Sequence, residues 1–144
     1  MTHTRYAIAA YRSAVMTTPP LPAVVLLYDG ILVRIEAAAK AAAVGDFGRQ
    51  FDDVMRAIDI LQGLLASLDM AKGGDVAIRL RDTYVTNIRA LMRSVARPGG
   101  AEACHRIAAG LRRLRNAWAE IGGLPPLAIP PPPARVAPAG QASS

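Results

Sequence analysis

"LLYDGIL", residues 26–32, decides the fold. Asp-Gly between apolar residues is a strong hairpin signal, yet the same seven residues fit the middle of a buried helix. The flanks settle the choice. A hairpin needs alternation on both sides, and "AVVLLYDGILVRIEAAAKAAAV", residues 23–44, does not alternate. Val24, Tyr28, Ile31, Ile35, Ala38 and Ala42 recur at steps of three and four. Glu36 and Lys40 form an i,i+4 pair in the favourable order. The spacing predicts a helix from Pro22 to Val44. Gly30 costs that helix roughly 1 kcal/mol relative to Ala. It shares a face with Ala37 and Ala41, a strip of small residues where another backbone can come close.

Outward from this helix the pattern stays helical. Upstream, "TTPPLP" blocks a helix, because each residue before a proline is pushed to extended geometry. Residues 5–16 form a short amphipathic piece on Tyr6, Ile8, Tyr11 and Val15. Downstream, Gly45 ends the long helix and Asp46 is placed to cap the next. Phe47, Phe51, Val54, Ile58, Leu61, Leu65 and Leu68 follow in strict 4-3 spacing, with a second strip, Ala57, Ile60 and Leu64, beside them. "KGGD" at 72–75 is the next expected break. A helix on Val76, Leu80, Tyr84, Ile88, Leu91 and Val95 runs to the stop at "RPGG", residues 97–100. The last covers 101–121 on Ile107, Leu111, Leu114, Trp118 and Ile121. The fold expected is all-α: an antiparallel four-helix bundle over residues 1–121, with a short N-terminal helix. From Gly122 to Ser144 the proline-rich composition predicts a disordered, partly polyproline tail with no part in the core.

Composition narrows the function. The 144 residues suit one domain with a core of its own. A single cysteine, Cys104, excludes an internal disulfide and points to a reducing compartment, so a cytoplasmic location is expected. No apolar run is long enough to cross a bilayer, so no membrane insertion is expected. The net charge of +6 is uneven: residues 1–75 carry seven Lys/Arg and eight acids (−1), whereas residues 76–121 carry nine Arg and three acids (+6). Such a basic half can meet nucleic acid or an acidic partner. Nucleic acid is the weaker reading, because no aromatics are interleaved with the arginines.

No catalytic or metal constellation emerges. Cys104 and His105 are adjacent on a helix, so their side chains diverge by about 100° and cannot share a metal. Asp52, Asp53 and Asp59 are expected on a solvated face. RNA-cleaving helical bundles of the HEPN type use an Arg and a His four to six residues apart. Here Arg97 and His105 are further apart and a helix-breaking Pro-Gly-Gly intervenes. No enzyme and no cofactor are expected.

The order of several fragments is informative. "AVMTTPP" (14–20), "LLYDGIL" (26–32), "GD" (45–46), "AIDIL" (57–61), "LDMAKGGDVA" (68–77), "LRDTYV" (80–85) and "LRNAW" (114–118) together resemble the flagellar export chaperone family FliS. The resemblance spans residues 5–121, and the tail lies beyond the family's common core. It implies a chaperone that binds the C-terminal region of flagellin in the cytoplasm, prevents premature polymerisation and delivers the subunit to the flagellar type III export gate. The family's N-terminal tyrosine falls at Tyr6 or Tyr11.

The apolar pattern fits such work. The long helix is apolar nearly all round and the next carries two strips, of which one builds the core and the other needs a cover. An incoming amphipathic helix supplies one; so would the N-terminal segment or a second copy of the chain in a homodimer. The first strip is assigned to the core. Tyr6, Ile8 and Tyr11, with Val25, Leu32, Ala57, Ile60 and Leu64, are expected at the flagellin groove.

Overall fold

The computed structural model describes residues 21–128. Four helices follow in order: α1 (Leu21–Ala43), α2 (Phe47–Ala66), α3 (Met70–Ser94) and α4 (Gly100–Ile121). Among the described residues there is no strand. The links are too short for anything but reversal, and cross-helix pairs run in opposite numerical order: Arg34 and Gly30 of α1 meet Asp53 and Ile60 of α2. The helices form an antiparallel ring in which α1 packs against α2 and α4, and α3 closes the other side. The expected short N-terminal helix, with Tyr6, Ile8 and Tyr11, lies outside the described residues, as does the tail from residue 129.

"LLYDGIL" is mid-helix, and the structure explains both unusual residues. Tyr28 and Ile31 are wholly buried. Asp29 leaves the apolar face to bind Arg115 of α4, with Nε donating to Oδ1 at 2.8 Å and Nη2 to Oδ2 at 3.4 Å. Gly30 faces α2, where a Cβ would lie 3.4 Å from Ile60 Cδ1. The acid fixes one neighbour, and at the glycine a Cβ would stand at ordinary contact distance from the other. Two further pairs continue the scheme along α1: Glu36 with Arg112, and Arg34 with Asp53 at 3.4 Å.

Inside the ring, the hydroxyls of Tyr28 and Tyr84 hydrogen-bond across the diagonal, and Trp118 Nε1 donates to Tyr28 Oη at 3.2 Å. All three side chains are buried, so the bond network satisfies polar atoms that burial would otherwise penalise. The caps follow the sequence. Gly45 takes φ +76° at the end of α1, and Asp46 accepts from Arg49 N at 3.1 Å to start α2.

Four expectations are corrected. First, both strips of α2 contribute to the core: Val54, Ala57, Ile58, Leu61 and Leu64 are buried, Leu65 and Ile60 are half-buried, and Phe47 and Phe51 are exposed. A bundle helix has two neighbours and needs a strip for each. Phe47 and Phe51, at the start of α2, fall outside the core. Gln50 and Asp53 occupy the inward positions there. Second, Asp53 is therefore not solvated but paired with Arg34. Third, α2 stops at Ala66, and Asp69 caps a new turn through Lys72 N at 2.9 Å. The expected glycine break is a kink at Gly74, φ +53°, inside α3. Fourth, the chain stays docked past Gly122. Leu124 N donates to Ala119 O at 2.7 Å, and Arg115 Nη1 donates to Pro125 O at 2.9 Å. The Asn116 amide brackets Leu127, accepting from its N and donating to its O.

Candidate functional site

Among the described residues no group of three His, Cys, Asp or Glu side chains is placed to hold a metal. Cys104 is buried against Ser94, and His105 is exposed, as expected for adjacent positions on a helix. The distinctive surface is apolar. On α1, Leu26 and Val33 are 68% and 63% exposed, and Leu27 beside them is 42% exposed. Gly30 and Ala37 continue the strip and Ile60 of α2 borders it.

The strip has charged margins on both sides. Toward α4 stand Asp29 and Glu36, held by Arg115 and Arg112. Toward α2 stands Arg34, held by Asp53. The acids and the arginine are thereby engaged within the bundle, and the apolar floor between them is left without a partner among the described residues. A patch of this kind rimmed by polar groups marks an interaction surface.

The structure places the expected groove residues differently. Val25, Leu32, Ala57 and Leu64 are buried in the core, which corrects their assignment to an open groove. Ile60 alone of the described set borders the surface strip. The reason is helical phase. At about 100° per residue, Val25 and Leu32 lie within about 60° of Tyr28, on the core arc, whereas Leu26 and Val33 lie on the opposite side. The same arithmetic applied to the sequence would have found the exposed pair.

The family model described as "Flagellar protein FliS" matches residues 3–124. The chain is also similar to the "Flagellar secretion chaperone FliS" of Salmonella typhimurium strain LT2, with 32% identity over 117 residues, covering 81% of this chain and 86% of that protein. The chain belongs to the FliS family. FliS proteins are flagellar secretion chaperones and not enzymes, which accords with a bundle built for packing and binding. No helix among the described residues of this FliS is long and apolar enough to cross a membrane.

Proposed function

We propose that this FliS-family chain is a cytoplasmic export chaperone that binds the C-terminal segment of flagellin. Binding prevents premature polymerisation, and the complex is delivered to the flagellar export gate. The observation that carries the reading is an apolar strip of the exposed Leu26, Leu27 and Val33 with the half-buried Gly30 and Ile60, flanked by charges already paired within the bundle. An amphipathic flagellin helix would lay its apolar face there. Val25, Leu32, Ala57 and Leu64 support the strip from beneath. Tyr6, Ile8 and Tyr11 are proposed to cover it, or part of it, until flagellin displaces them.

Calorimetry with a flagellin C-terminal peptide tests this. A segment that orders on a folded bundle gives a negative heat-capacity change and favourable enthalpy opposed by entropy. The rival reading, a basic bundle that binds nucleic acid, instead requires affinity that falls steeply with salt. Tighter binding to RNA or DNA than to the flagellin peptide, with that salt slope, would overturn the chaperone reading.

A further inference from the structure

The basic half of the chain is not spread evenly over the surface. Arg112 and Arg115 are engaged with Glu36 and Asp29. Arg93, Arg97 and Arg106 are exposed and have no acidic partner among the described residues. These three line one cavity of about 540 Å³, where the end of α3 meets the start of α4. Its floor includes the buried Ser94 and Gly100, and its single acid is Glu102. No residue of α1 or α2 lines it.

The turn that carries Arg97 is rigidly held. Gln50 of α2 is wholly buried, and its amide serves the turn twice: Nε2 donates to Ser94 O at 3.0 Å, and Oε1 accepts from Ala96 N at 3.1 Å. Ala96 is held at φ +55°, unusual for a residue with a Cβ. Any Cβ at Gly100 would collide with the Ser94 carbonyl oxygen. The arginine side chains are long, but the turn between the helices that present them is held by these contacts, which lowers the ordering cost of binding.

We propose that this cavity is a second docking site, independent of the flagellin strip, for an acidic segment of a protein partner. Guanidinium groups pair bidentately with carboxylates. Three of them around one cavity, against one carboxylate, favour aspartate and glutamate side chains over neutral ones. A nucleic-acid strand fits less well. No aromatic side chain lines the cavity to stack a base, and Glu102 would repel a continuous phosphate backbone, whereas a peptide of mixed charge can set a basic or neutral residue beside it.

The test uses the full-length chain and fluorescence anisotropy. The probes are a fluorescein-labelled peptide of alternating Glu and Ala, the same peptide with Gln in place of Glu, and oligo-dT. R93E/R106E is compared with R79E/R113E, a pair of the same charge change on exposed positions of α3 and α4 outside the cavity, and with R93Q/R106Q. The Glu peptide should bind the wild type and the Gln peptide should not. R93E/R106E should weaken binding at least about tenfold and R79E/R113E no more than about twofold, with R93Q/R106Q in between. Circular dichroism and flagellin binding should be unchanged in all three. Equal losses from the two reversed pairs, no loss in R93Q/R106Q, absent binding of the Glu peptide, or tighter binding of oligo-dT would each overturn the proposal.

Discussion

Val25 and Leu26 are adjacent in the chain, as are Leu32 and Val33, yet the members of each pair have opposite fates. Val25 and Leu32 are 3% exposed and belong to the core; Leu26 and Val33 are more than half exposed. Composition does not separate them, since all four are aliphatic. Rotation about the helix axis does. The inward arc of α1 serves folding and the outward arc is free to serve binding, so one helix can be apolar nearly all round without being wasted. Substitutions should therefore divide sharply between stability and affinity according to phase alone.

The largest expected effect tests the inward arc. Leu32→Glu places an unpaired charge among Tyr28, Ile35 and their neighbours, and the domain should lose about 4 kcal/mol or more, enough to unfold a marginal bundle. Urea denaturation followed by circular dichroism measures this. A Leu32→Glu variant as stable as the wild type would erase the distinction between the arcs.

A smaller loss is expected at the boundary between them. Asp29→Ala leaves Arg115 buried without its carboxylate, although the Pro125 carbonyl and Asn116 remain as acceptors. Breaking a buried pair costs about 3–5 kcal/mol. Asp29 keeps a third of its side chain in water, so the lower end applies. Thermal melts at moderate and high salt should show a loss that added salt does not remove. A change within error would reduce the Asp29–Arg115 pair to a surface contact.

The docked segment 124–127 adds a milder contrast with the chain beyond it. A chain ending at Gly123 loses the bonds to Ala119, Arg115 and Asn116 and the half-buried Leu124. The expected loss is about 1–2 kcal/mol. A chain ending at Ala128 should melt with the full-length protein. Equal melting of both truncations would show that the segment adds nothing.

Smallest is Gly30→Ala. Alanine gains up to about 1 kcal/mol of helix propensity, and its methyl meets Ile60 Cδ1 at ordinary contact distance. Stability should stay within about 0.5 kcal/mol of the wild type or rise. A large loss would mean that α1 and α2 need a closer approach than Ile60 permits.

Much of this was legible in the sequence. Helix positions, the Asp46 cap, the stop at residues 97–100 and the helical reading of "LLYDGIL" follow from local propensity and period, which act over a few residues. What escaped the sequence depends on neighbours. Asp53 reads as a solvated acid until Arg34 is beside it. Ala57 and Leu64 read as a spare strip, but both are buried in the core. No sequence pattern marks Gln50, the buried support of the 94–96 turn, 44 residues away in sequence. On α1 the expected positions Val25 and Leu32 fall one residue short of the exposed Leu26 and Val33, a difference of helical phase.

The most direct test of the account is the binding of a flagellin C-terminal peptide to L26E/V33E, measured by titration calorimetry beside a thermal melt of the same sample. Both glutamates stand outside the bundle core, and a docking flagellin helix must strip their water. The account predicts a melting temperature within about 2 °C of the wild type and an affinity at least tenfold lower, about 1.4 kcal/mol. A folded L26E/V33E protein that binds the peptide as the wild type does would contradict it and place the flagellin site away from the outward arc of α1.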